Sequence, residues 1–128
     1  MEKRVVRTEA APAPFQGAPY NQAIRVDDLV FVAGQLGINL DTGALAGADV
    51  AAQTEQIMAN LGAILEAAGS ALDKLVKTTV FLMDLEDFAA MNEVYAQHVG
   101  DRPPARSTIQ VSGLPSGALV EIEAIAHV

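Results

Sequence analysis

Two residues in the last quarter of the chain carry the types from which a small-acid site is made. Arg106 lies in Pro103-Pro104-Ala105-Arg106-Ser107-Thr108-Ile109-Gln110-Val111, and Glu121 in Leu119-Val120-Glu121-Ile122-Glu123-Ala124-Ile125-Ala126. A guanidinium is planar and permanently charged, and its fork of N–H donors matches a carboxylate. A carboxylate held on a rigid strand nearby supplies an acid–base group. The same two residues would also serve as a structural ion pair, and their types alone leave both readings open.

The elements around them follow from local pattern. Two prolines stop any preceding helix, because proline lacks the N–H a helix interior uses and biases its predecessor towards extended geometry. Arg106, Thr108 and Gln110 then point one way along a strand, with Ser107, Ile109 and Val111 the other. In the final strand Val120, Ile122, Ala124 and Ala126 form an apolar face. Glu121 and Glu123 share the opposite face with Ile125 and His127. The loop Ser112-Gly113-Leu114-Pro115-Ser116-Gly117-Ala118 is too long for a tight hairpin, so the pattern does not decide whether these two strands are neighbours.

Upstream, Lys3–Arg7 is a short strand candidate, followed by a loop over 10–20 in which three prolines forbid regular structure. Tyr20 ends that loop, either as a half-buried aromatic or as a phenol held over a pocket. Gln22–Val26 and Leu29–Gln35 read as strands joined by a turn at Asp27-Asp28. The second contains Gly34, where a missing side chain lets a ligand or another backbone come close. Asp49 is an N-cap, and Val50, Ile57, Leu61, Ile64, Leu65 and Ala68 recur at helical spacing until Gly69. Leu75–Met83 is a strong strand, rich in β-branched and aromatic residues. Asp84 is expected to cap a second helix, with Asp87 completing a capping box, and Gly100 to end it. Its Leu85, Phe88, Met91 and Tyr95 stripe reads as core, and Asn92 follows one turn after Phe88. Glu55 and Glu66 read as a solvated face, and His98 as a contact with a helix C-terminus.

The order βββαβαββ predicts one α+β domain over 1–128, with both helices on one face of a mixed sheet. Strand alternation divides Phe31, Val32, Phe81, Leu82, Ile109 and Ile125 between two faces, so two helices cannot cover them all. The uncovered face would be an apolar patch of the kind that marks an interface between proteins.

Composition narrows the function. The 128 residues are 51% hydrophobic and 19% charged, a globular balance. Sixteen acids against eight bases give a net charge of −8, which argues against a nucleic-acid partner. The absence of Trp disfavours a base-stacking platform, and the absence of Cys removes disulfides, thiolate nucleophiles and Cys-ligated metals. His98 and His127 lack ligand-like spacing, so no metal is expected. No run approaches the roughly 18 apolar residues of a membrane span, and residues 1–20 lack a secretory apolar stretch. A soluble, cytoplasmic protein is the expectation.

Taken together, Gly17-Ala18-Pro19-Tyr20, Val32-Ala33-Gly34-Gln35, Ala48-Asp49-Val50-Ala51-Ala52-Gln53, Lys77-Thr78-Thr79-Val80-Phe81, Met83-Asp84-Leu85 with Phe88 and Asn92, Pro104-Ala105-Arg106-Ser107 and Glu121–Ala126 resemble the Rid/YjgF family. These are reactive intermediate deaminases, also called endoribonuclease L-PSP. Each piece is weak alone, but in this order over nearly the whole chain they are specific. The resemblance implies a chorismate-mutase-like fold and a homotrimer with sheets inward, helices outward and ligand sites in the clefts between subunits. It implies hydrolysis of 2-imino acids, such as 2-iminopropanoate and 2-iminobutanoate, to 2-keto acids and ammonia, with no cofactor. Arg106 would grip the substrate carboxylate and Glu121 would activate water. Tyr20 from the neighbouring subunit would line the pocket, with Gly34, Phe88 and Asn92 shaping its walls and the Thr108 backbone N–H adding a donor. Two positions depart from the family: Ala33 stands where a serine is typical, and Thr108 where the well-studied deaminases commonly carry cysteine. The family's other name raises RNA cleavage or translational inhibition as a rival, and a 2-keto-acid-binding or chaperone-like role without turnover as a third reading.

Overall fold

The computed structural model describes all 128 residues. Strands β1 (Lys3–Val6), β2 (Ala23–Val26) and β3 (Leu29–Leu36) precede helix α1 (Val50–Ala67). Strand β4 (Leu75–Leu82), helix α2 (Phe88–Val99) and strands β5 (Ala105–Gln110) and β6 (Val120–His127) follow. The expected βββαβαββ order is the observed one. All six strands form one sheet in the order β1-β2-β3-β6-β4-β5. Only β4 and β5 run parallel, as a strand–helix–strand crossover through α2 requires. The long loop after β5 therefore has a topological reason: β6 inserts between β3 and β4, so β5 and β6 are separated by β4.

Both helices cover one face. Val30 and Val32 of β3, Val80 and Leu82 of β4, and Val120, Ile122, Ala124 and Ala126 of β6 are buried there. They belong to one core cluster with Ile57, Leu61, Ile64 and Leu65 of α1 and Met91 and Val99 of α2. Helix α1 starts where the Asp49 carboxylate accepts from the Ala52 N–H at 2.8 Å. It ends at Ala67, with Ala68 as its C-cap, before Gly69 at a φ of +84°, a conformation glycine adopts without the Cβ clash. Gln53 of α1 donates to the Gly47 carbonyl and accepts from the Leu119 N–H at 2.8 Å. That bond fixes the entry into β6 and hence the position of Glu121.

The opposite face has no covering layer. Leu29, Phe31 and Ile109 are 42%, 42% and 46% exposed, with Phe81 and Ile125 half-buried among them. The division expected from alternation is the observed one.

Two local readings change. Asp84 caps a short 3-10 turn over Leu85–Asp87, accepting from the Glu86 N–H, and α2 begins only at Phe88, where Asp87 makes no side-chain cap. The short Asp84 side chain reaches two residues ahead, which closes a tighter turn than an α-helical cap. His98 is more than a helix-end contact: its Nε2 lies 2.7 Å from Glu55 Oε2, bridging α2 to α1. Glu55 thus has a partner, whereas Glu66 is solvent-exposed as expected.

Candidate functional site

Arg106 begins on the edge strand β5 and points to the helix-covered side, since its register partner in β4 is the fully buried Thr78. Its guanidinium carbon lies 4.9 Å from the Tyr95 ring centroid and 5.4 Å from that of Phe88, within cation–π range of both. Phe88 and Tyr95 are seven residues apart on α2, two helical turns on one face. Arg106 makes no ion pair, the single bridge in the chain being His98–Glu55. The structural ion-pair reading of Arg106 and Glu121 is therefore excluded within a chain.

Asn92 lines the open groove that Arg106 and Tyr95 share. Thr108, two residues along β5 on the same face, partners the buried Val80. Asn92 Oδ1 and Thr108 Oγ1 are the two buried side-chain polar atoms in the chain without a hydrogen-bond partner. Buried polar groups are almost always bonded, so two orphans on the Arg106 side mark a place built for polar contact.

Glu121 belongs to a second constellation. Val32 pairs with Ala124 but Gln35 with Ile122, so β3 carries one extra residue at Ala33-Gly34. This bulge bends the strand and aims it at its neighbour. A Cβ at Gly34 would lie 2.5 Å from Glu121 Oε2, so the carboxylate rests where a side chain would otherwise stand. The Gln35 amide donates to the Ala33 carbonyl at 3.0 Å and braces the bulge. Glu121 has no ion pair. Burial, and secondarily the charge of Glu123, hold its carboxyl above the usual carboxylate range.

A cavity of about 270 Å³ opens over this carboxylate, lined among others by Phe15, Gln16, Tyr20, Gly34 and Ser116. The Tyr20 hydroxyl accepts from the Phe15 N–H at 2.5 Å and keeps its own proton to donate. Tyr20 is therefore a phenol at a pocket, and it lines the same cavity as Glu121 of its own chain.

The seven residues singled out in the sequence thus fall into two groups. Arg106, Phe88, Asn92 and Thr108 gather on one side of the sheet, and Tyr20, Gly34 and Glu121 on the other. Strand register requires the separation: Arg106 shares a face with Thr78, while Glu121 pairs with Phe81 on the opposite face. With β4 between them they are also roughly 10 Å apart across the strands. A molecule of amino-acid size cannot touch both within one chain. Within one chain Tyr20 shares its cavity with Glu121 and not with Arg106. Sequence reasoning missed Tyr95 and Thr78 as neighbours of Arg106. The signal was the seven-residue spacing from Phe88, which core packing explains equally well. No three His, Cys, Asp or Glu side chains converge anywhere in the chain, and no helix is long and apolar enough to cross a membrane.

A six-stranded mixed sheet backed by two helices, with an unpaired arginine on its edge and a bulge-seated carboxylate on its open face, defines a small α+β protein. Residues 8–128 match the Endoribonuclease L-PSP family. The chain is 49% identical over 127 residues to a RutC family protein of Pyrococcus abyssi, covering 99% of this chain and 98% of that one. It is 42% identical over 124 residues to the human 2-iminobutanoate/2-iminopropanoate deaminase, covering 97% and 89%. The crystal structure of Escherichia coli TdcF with bound serine superposes with a TM-score of 0.90 at 39% identity, covering 98% of both chains. The chain belongs to the endoribonuclease L-PSP family, the Rid/YjgF family of its sequence resemblance.

Proposed function

We propose that this protein hydrolyses small 2-imino acids, such as 2-iminopropanoate and 2-iminobutanoate, to the 2-keto acid and ammonia. The observation that carries the reading is the Arg106 guanidinium, held on two aromatic faces with no anion of its own chain to pair with, on the side where two buried polar atoms lack partners. Such a group is arranged for a carboxylate from outside. The relatives add a substrate class: one is named an imine deaminase, and another was crystallised with serine, a small α-substituted acid.

The two groups of residues work together only if copies of the chain assemble. Arg106 with Phe88, Asn92 and Thr108 would come from one subunit, and Glu121 with Tyr20 and Gly34 from the next. The apolar open face of the sheet supplies the surface for that assembly, a homotrimer with its clefts between subunits. In the cleft Arg106 fixes the substrate carboxylate and so sets the imine carbon in register. Glu121 takes a proton from water as the water oxygen bonds to the carbon of the protonated imine, giving a carbinolamine. That proton passes to nitrogen, the C–N bond breaks with its electrons leaving on ammonia, and the hydroxyl oxygen closes the carbonyl as Glu121 takes up its proton. A carboxyl held above its ordinary range suits both halves of this transfer. Tyr20 donates its free proton to the substrate side of the cavity.

Mixing two inactive proteins tests the chemistry and the shared cleft together. Arg106→Ala and Glu121→Gln chains, each inactive alone, are co-expressed and assayed with a serine dehydratase that generates 2-aminoacrylate. Faster pyruvate release than with either variant alone is expected, because about a quarter of randomly assorted clefts regain both residues. No recovery, with mixed oligomers present, refutes the shared cleft. No acceleration by the wild-type protein refutes imine hydrolysis. RNA cleavage, the rival suggested by the family name, is disfavoured by the charge of −8.

A further inference from the structure

We infer that Tyr95, locked in place by Thr78, is a positioning residue for Arg106: it holds the guanidinium in the plane from which it forks a carboxylate. The functional consequence rests on the carboxylate-gripping role of Arg106 proposed above; the positioning itself does not.

An arginine on an edge strand is a long side chain with considerable rotamer freedom to lose when it is fixed. Ion pairing commonly restricts such a side chain, and here there is none. Packing does it instead. The guanidinium carbon is 4.9 Å from the Tyr95 ring centroid and 5.4 Å from that of Phe88, so one helix face brackets it at two points.

Tyr95 is itself immobilised. It is buried, and its hydroxyl is 2.6 Å from Thr78 Oγ1. Thr78 is fully buried, and this is its side-chain hydrogen bond. On an apolar face between Leu75 and Val80, a valine would fill the same volume without a hydroxyl to satisfy. A threonine there is accounted for by the bond to Tyr95. Thr78 is also the residue beside Arg106 in the β4–β5 ladder. The three residues therefore close a ring: strand pairing joins Thr78 to Arg106, a hydrogen bond joins Thr78 to Tyr95, and the aromatic face joins Tyr95 to Arg106. Burial pushes the Tyr95 phenol above its ordinary value, against the opposing pull of Thr78 and Arg106, so the group that meets the cation is a neutral ring.

The test reads the Arg106 side chain directly in the full-length protein. Its Nε–H signal in ¹⁵N NMR spectra is assigned by its disappearance in Arg106→Lys. In the wild type it should be shifted by the ring currents and as ordered as the backbone. Tyr95→Leu should abolish both the shift and the order. Tyr95→Phe and Thr78→Val, which keep the ring but remove the hydrogen bond, should keep most of the shift and lose order. Binding of 2-oxobutanoate should weaken about tenfold in Tyr95→Leu and about two- to threefold in the two milder variants. In an Arg106→Lys background the Tyr95 substitutions should weaken it no further, which a purely structural role would not produce. An unchanged Arg106 signal in a folded Tyr95→Leu overturns the inference. If that variant does not fold, unchanged order in both milder variants overturns it. Failure of the wild type to bind 2-oxobutanoate removes the proposed function and leaves the NMR result to decide the positioning role.

Discussion

Gly34→Ala separates the chemistry of Glu121 from the stability of the fold. The added Cβ would stand 2.5 Å from Glu121 Oε2, 2.9 Å from Cδ and 3.2 Å from Cγ, whereas ordinary contact begins near 3.4 Å. What it meets is the end of a flexible side chain, and Gly34 does not sit at positive φ. Alanine is therefore accommodated by moving the carboxylate, with the bulge intact. Loss of unfolded-state freedom offsets part of the strain, so the net stability change should stay within about 1 kcal/mol. The carboxylate oxygen must retreat by about 0.9 Å, and a displacement near 1 Å at a catalytic group costs on the order of 10² in rate. In the coupled assay kcat should fall by roughly that factor, with KM for the imine little changed because Arg106 lies in the other half of the site. Thermal denaturation should give a midpoint within about 5 °C of the wild type. A variant with wild-type kcat, alongside an inactive Glu121→Gln, would show that the position of this carboxylate does not matter and refute the assignment of the bulge as its seat. An equal loss of stability and activity would refute the claim that only the side chain moves.

Arg106→Lys keeps the charge and removes the planar fork, so kcat/KM should fall roughly 10- to 100-fold in the coupled assay while the oligomer persists by light scattering. Glu121→Gln should lower turnover on the order of 10²- to 10⁴-fold and leave 2-oxobutanoate binding intact by calorimetry. The fold raises the Glu121 pKa, through burial first and the charge of Glu123 second. Its contribution therefore favours the folded state at low pH and is lost as pH rises through the folded value. Glu121→Gln should accordingly melt above the wild type at neutral pH, with the gap closing below the ordinary carboxylate range. The acid limb of the rate profile should lie above that range and move down in Glu123→Gln.

Much of the architecture was legible because it is periodic. The 3.6-residue recurrence from Val50 to Ala68 and the two-residue alternation in β6 reflect burial on one side only, and burial selects residue type. The caps at Asp49 and Gly69 were readable because few residue types satisfy those backbone positions. The Asp84 cap was misread because the same carboxylate closes either a 3-10 or an α-helical first turn, and only the approach of the chain selects between them. Tyr95 was legible as buried, but its contact with Arg106 was not. An aromatic at core spacing looks the same whether its ring meets leucine or a guanidinium.

The sequence by itself determined the order of elements, the face on which each candidate residue lies along its own strand, and the family, because these depend on local spacing and residue identity. Only the tertiary structure decided that β4 separates Arg106 from Glu121, that a bulge at Gly34 receives the carboxylate, and that Tyr20 shares the Glu121 cavity. Those facts depend on which strands pair and in what register. That choice is made by the whole core at once, and no short stretch of chain encodes it.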